Sequence, residues 1–235
     1  MRTIHLVCAC AASAALAAPA AAQPGTEVTG STATARVTEP TVARAAPAVG
    51  ARRVLDLMPY TAFSRRDQVL MVTGDATDDS GRPWVRVMLP VRPSGTEGWV
   101  PASQVKRSAV HSRIRVVLGA KRLELWRNGR RVLSTRAAVG TGSTPTPVGA
   151  FAVQDPVTTP ASARGVYGPY IITLTAYSSV LKTFMGGNGL VAIHGTSDTG
   201  SLGRAASHGC VRISNSALVK VRPYADAGVP VDIVR

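Results

Sequence analysis

Two short segments, Ile193-His194-Gly195-Thr196 and Ser207-His208-Gly209-Cys210-Val211-Arg212, place a nucleophile, two imidazoles and flexible backbone close together. His194 closes an apolar run, Leu190-Val191-Ala192-Ile193, which the turn Gly186-Gly187-Asn188-Gly189 introduces. Such a run reads as a strand, and a sheet can set it beside the segment that carries Cys210. This reading predicts a β-rich fold built to hold His194 and Cys210 as neighbours.

The flanking sequence agrees. Ile114 to Leu118 is a strand, and Leu123 to Arg127 pairs with Arg131 to Thr135 through Asn128-Gly129, a strong hairpin signal. Ser143-Thr144-Pro145-Thr146-Pro147-Val148-Gly149-Ala150-Phe151 is a stiff turn entering another strand, and Ile171 to Leu174 is one more. Beyond the cysteine, Ser214 or Asn215 can cap a short helix that Pro223 breaks, and Gly228 to Val234 closes the sheet. Residues 112–235 thus form one mainly β unit with one or two short helices.

Upstream, residues 51–107 hold about five short strands. Gln68 to Thr73 is ended by Gly74-Asp75, and Trp84 to Leu89 alternates, with Val85, Val87 and Leu89 on one face. These predict a small barrel. Residues 23–50, rich in Ala, Thr, Pro, Glu and Val without apolar periodicity, read as a disordered linker. Residues 1–22 start positive at Arg2, continue as an Ala-rich apolar run and end in Ala20-Ala21-Ala22, the pattern of a cleaved secretory signal, with an uncleaved anchor as the alternative. No later segment is long and apolar enough to span a bilayer. The predicted location is therefore outside the cytoplasm, in the cell envelope or secreted.

Removal of the signal takes Cys8 and Cys10 with it and leaves Cys210 alone. A single cysteine in an exported chain is a reactive thiol, an intermolecular link or a buried inert residue. The net charge of +14 favours polyanionic surroundings. For an exported chain these are anionic envelope polymers rather than nucleic acid.

A cysteine is mostly thiol at neutral pH, and a histidine in reach can take its proton. His194 is the candidate base. Gly195 allows close backbone approach, and its carbonyl is placed to accept from the ring N–H and fix the tautomer. His208, Gly209 and Cys210 supply backbone N–H groups for an oxyanion. Arg212 is either a solvated charge or a bidentate partner for a substrate carboxylate, and Asp198 is the alternative triad acid. Two histidines and a cysteine are also zinc-ligand types. A structural site wants a fourth ligand, and no second cysteine remains, while a catalytic zinc on these three ligands, as in a zinc hydrolase, is the remaining alternative. No metal and no cofactor is expected.

The Ile-His-Gly-Thr and Ser-His-Gly-Cys-Val-Arg pair resembles the catalytic signature of the L,D-transpeptidases, cysteine enzymes that cross-link bacterial peptidoglycan. The Thr-Pro-Thr-Pro-Val-Gly-Ala-Phe turn and the C-terminal Gly-Val-Pro-Val-Asp-Ile are similar to that family as well. The resemblance spans residues 112–235 and implies a β-sandwich-like catalytic domain. It places the nucleophile on Cys210, the general base on His194, the orienting carbonyl on Gly195, and a role shaping the substrate and oxyanion site on His208. Arg212 stands where some members carry Asn. Residues 154–169 are the best counterpart of the family's lid. Ser207, Arg212, Tyr167 and Tyr170 are the candidate substrate contacts. Gly98-Trp99-Val100-Pro101-Ala102-Ser103 resembles bacterial Src-homology-3-like domains, which implies either a wall-peptide binder or a spacer or lid. The implied activity is 3→3 cross-linking of stem peptides through a cysteine thioester. Hydrolysis at the same site (an L,D-carboxypeptidase) and a non-catalytic wall-binding protein are the alternatives.

Overall fold

The computed structural model describes residues 30–183 and 187–235. The expected signal and the first residues of the expected linker lie outside them. Among the described residues no helix is long and apolar enough to cross a membrane.

The first unit has seven strands: β1 (Thr32–Val37), β2 (Thr41–Arg44), β3 (Arg53–Leu57), β4 (Val69–Thr77), β5 (Pro83–Met88), β6 (Glu97–Pro101) and β7 (Val105–Val110). They form one sheet in the order β3-β2-β6-β5-β4-β1-β7, with every neighbouring pair antiparallel. This corrects the expectation of a linker over residues 23–50, because β1 and β2 lie inside that stretch. Ala35, Val37 and Ala43 are fully buried there. Small residues give little apolar contrast in sequence, yet they fit where partner strands supply the bulk. Gly74 does not end its strand either. The register shifts between Val72 and Gly74, so the glycine marks a bulge and β4 runs on to Thr77.

The alternation read in Trp84 to Leu89 separates two environments. Val85, Val87 and Leu89 belong to the apolar core of the first unit, with Leu57, Leu70 and Val100. Met88, on the opposite face, joins Met71 in the core of the second unit. The first unit therefore packs on the second through a continuous apolar seam.

The second unit contains β8 (Ser112–Val117), β9 (Arg122–Arg127), β10 (Arg130–Arg136), β11 (Val139–Gly140), β12 (Gly149–Thr158), α1 (Arg164–Tyr167), β13 (Tyr170–Tyr177), β14 (Leu190–His194), β15 (Ala205–Ser207), β16 (Val211–Arg212), α2 (Asn215–Val221) and β17 (Pro230–Val234). Eight strands form a mixed sheet in the order β10-β9-β8-β17-β12-β13-β14-β16, and β11 pairs with β15 beside it. The architecture is mainly β with two short helices, as expected. Asn128 and Gly129 both have positive φ, +48° and +73°, as the tight β9–β10 hairpin requires. Ser214 is the cap of α2, its Oγ accepting from Ala217 N at 3.2 Å. The stretch expected as a lid, 154–169, divides: residues 154–158 are sheet, with Asp155 fully buried, and only the remainder forms a helical turn ending at Tyr167.

Asp155 ties the two units together. Its carboxylate accepts from Phe63 N at 3.1 Å, Ser64 N at 2.9 Å and the Ser64 hydroxyl, all in the turn before β4. A buried carboxylate is tolerable because these donors replace water.

Candidate active site

His194 and Cys210 are delivered by adjacent strands. β14 runs parallel to β16, with Ile193 opposite Val211 and His194 opposite Arg212. Ile213 N donates to His194 O at 3.0 Å and secures this pairing just beyond the cysteine.

His194 is buried. Its Nδ1 lies 2.7 Å from Gly195 O. A carbonyl only accepts, so Nδ1 carries the proton and Nε2 holds the free lone pair that a base needs. Gly195 N in turn donates to Tyr167 O at 2.8 Å, and the Tyr167 ring meets the imidazole edge-on, 5.0 Å between centroids. A Cβ on Gly195 would overlap the Asn215 side-chain oxygen and lie 3.0 Å from Gly168 Cα, so only glycine fits between α1 and α2. Burial lowers the His194 pKa to about 4; the Gly195 contact pulls it up, and the Arg212 charge lowers it further.

Cys210 is partly exposed and reduced. Burial raises its thiol pKa, while a backbone hydrogen bond from Ala192 and the charge of Arg212 favour the thiolate. The resting pair at neutral pH is therefore thiol and neutral imidazole, not thiolate and imidazolium. Arg212 acts on both members in the same sense: it stabilises negative sulfur and opposes positive imidazole.

The loop before Cys210 is held by its own hydroxyls and by the Thr-Pro-Thr-Pro turn. Ser207 Oγ accepts from Gly209 N at 3.2 Å and donates to Cys210 O at 2.5 Å. Gly209 has φ +117°, a conformation that favours glycine. Thr146 Oγ1 accepts from Gly140 N at 2.8 Å and donates to Gly209 O at 2.9 Å. Ser207 O receives Thr141 N at 3.1 Å and the Thr144 hydroxyl at 3.2 Å.

A cleft of about 650 Å³ opens at this point, lined by Cys210, His194, His208, Arg212 and Tyr167 among others. Five of the sequence-predicted residues thus border one space. Gly195 and Gly209 support it from behind. Ser207 and Tyr170 are placed differently from expectation. Ser207 is buried, and its hydroxyl braces the loop. Tyr170 borders a separate cleft of about 560 Å³ with Arg66 and Arg222, because successive residues of β13 face opposite sides: Ile171 faces the cysteine cleft and Tyr170 does not. Gly209 N is engaged by Ser207 Oγ in this state. Gly195 O, not the Asp198 carboxylate, is the partner of His194 Nδ1. Among the described residues no group of three or more His, Cys, Asp or Glu is arranged to hold a metal ion.

Three positions at the site were not singled out in sequence: the Ala192 backbone beside the sulfur, Thr146 behind the loop, and Phe63, which reaches the cleft from the first unit. Each depends on a long-range contact. Only Thr146 had a local hint, in the stiff turn that contains it.

Comparison with known proteins identifies the family of the second unit. Residues 111–233 match the family model described as YkuD, the L,D-transpeptidase catalytic domain. A putative L,D-transpeptidase YkuD of Bacillus subtilis is 33% identical over 122 residues, covering 52% of this chain and 65% of the relative. Its counterpart in Bacillus licheniformis is 31% identical over 121 residues, covering 52% and 64%. The match thus spans just under two thirds of these relatives' length. A crystal structure of a mutant Enterococcus faecium L,D-transpeptidase is similar at 20% identity and a TM-score of 0.40, over 52% of this chain and 49% of that one.

Proposed function

The chain belongs to the L,D-transpeptidase catalytic domain family, and from that premise we propose that it is an exported enzyme forming 3→3 peptidoglycan cross-links through a thioester on Cys210. The observation that carries this reading is the buried His194, held by Gly195 O with Nε2 as the free base, on the same cleft as Cys210.

The donor is a stem peptide whose third residue, typically meso-diaminopimelate, precedes a terminal D-alanine. Cys210 Sγ attacks the carbonyl of that third residue as His194 Nε2 takes the thiol proton. Because the thiol pKa is raised and the imidazole pKa lowered, proton transfer accompanies attack rather than preceding it. The imidazolium gives the proton to the leaving D-alanine amine, the C–N bond breaks, and the thioester remains. A side-chain amine of a second stem attacks that thioester with His194 again accepting a proton, and the sulfur leaves as thiol. Water in place of the amine gives the carboxypeptidase reaction. Arg212 stabilises negative sulfur throughout, and its guanidinium is suited to a stem carboxylate. Residues 1–22 act as the export signal, the first unit as a Src-homology-3-like module, and the basic surface draws the protein to anionic envelope polymers.

Intact mass after incubation with a disaccharide-tetrapeptide, and separately with a carbapenem, tests this reading. The wild type should gain a thioester adduct and accumulate cross-linked dimer, while Cys210→Ala gains none and His194→Ala reacts about a thousandfold more slowly. Tripeptide without dimer would replace the transpeptidase by a carboxypeptidase. No adduct under either condition would leave a non-catalytic wall-binding protein.

A further inference from the structure

The connection from β13 to β14 borders the cysteine cleft with both of its limbs. Ser178 and Leu181 lie on the outgoing limb, Asn188 and Gly189 on the returning one, and all four line the space. One side chain of the first unit grips both limbs. Arg92 Nη1 donates to Ser178 O at 2.8 Å, and Nη2 donates to Leu181 O at 3.1 Å and to Asn188 O at 2.8 Å. The guanidinium also lies over the Tyr177 ring, 4.8 Å from its centroid. Gly189, with φ +75°, is pressed against this grip, since a Cβ there would sit 2.6 Å from Arg92 Nη2.

Neighbouring contacts hold Arg92 in place. Tyr177 N donates to Ser94 Oγ at 2.7 Å, and Tyr177 OH donates to Pro90 O at 2.8 Å. Phe63, on the turn bound by Asp155, brings the first unit to the same cleft a second time. The first unit therefore borders the cleft at Phe63 and holds part of its wall from outside through Arg92.

We propose that Arg92 is a positioning residue that fixes the width of the cleft. By tying residues 178–181 and 188–189 to the first unit, it sets the opening through which the donor peptide reaches Cys210. A planar guanidinium is suited to this task, since its fixed N–H fork reaches three carbonyls on two limbs at once. A lysine ammonium keeps the charge and the ring contact but has one nitrogen to share. The first unit is then part of the substrate site. This proposal rests on the reading of the cleft as the donor site.

The test compares full-length wild type, Arg92→Ala and Arg92→Lys by labelling Cys210 with iodoacetamide and with a bulky fluorescein maleimide. For Arg92→Ala the ratio of bulky to small labelling rates should rise about tenfold, with the iodoacetamide rate within about twofold; Arg92→Lys should fall between. In tetrapeptide turnover KM should rise about tenfold with kcat within about threefold. An unchanged labelling ratio in Arg92→Ala overturns the proposal. So does equal acceleration of both reagents, the mark of a generally loosened structure. Labelling needs no turnover, so a wild type that fails to process tetrapeptide overturns the functional reading while the ratio still decides the role of Arg92.

Discussion

At Cys210 and His194 the same burial acts in opposite directions on two protons, keeping one on sulfur and the other off the imidazole Nε2. The cost of the second effect is visible in the stability of the molecule. With His194 at about 4 in the folded chain against 6.5 unfolded, the unfolded chain binds the extra proton between those values and the folded chain does not. Stability from this residue is complete above pH 6.5 and is lost as pH falls towards 4, a difference of about 3 kcal/mol. Urea titrations of wild type and His194→Gln across that window should show the wild type losing this amount and the variant a correspondingly flatter profile. The pairing of these residues was legible in sequence because cysteine, histidine and glycine lie in two short motifs. Their protonation states were not, since burial depends on strands far away in the chain.

Among the elements, the turn before β12 does more than connect. Thr146 links Gly140 N to Gly209 O through one hydroxyl, so β11 and the cysteine loop share a single buried brace. Thr146→Val keeps the shape and removes the hydroxyl, leaving a donor and an acceptor unpaired. It should cost about 2 kcal/mol in denaturant unfolding and slow carbapenem acylation, while Thr146→Ser should stay within about 1 kcal/mol of wild type. Elements with local signals were readable from sequence: the Asn128-Gly129 hairpin, the Ser214 cap and the alternation of β5 all appear where expected. β1 and β2 were hidden, because Ala and Thr form a strand only when neighbours bury them. The first part of the stretch expected as a lid, 154–158, is strand instead, for the converse reason. Gln154 and Asp155 look solvent-facing in sequence, but Asp155 finds its donors in the other unit.

For the whole molecule, the seam between the units is the feature that sequence reading left undescribed. Two units were expected with no contact specified between them; Met71 and Met88 pack in the core of the second unit, and Asp155 and Arg92 cross the boundary. A protein beginning at residue 111 would expose that apolar surface and take from Asp155 the three donors that the first unit supplies. It should be less stable by about 3 kcal/mol or more than the same unit in the full chain, as measured by thermal unfolding of both. One consequence of sheet order concerns timing. β17 is last in sequence but sits between β8 and β12. The central strand of the large sheet thus emerges from the ribosome after all its neighbours, so the sheet cannot close until synthesis has passed residue 234. Until then β8 and β12 have no strand between them, and the two halves of the sheet stay apart.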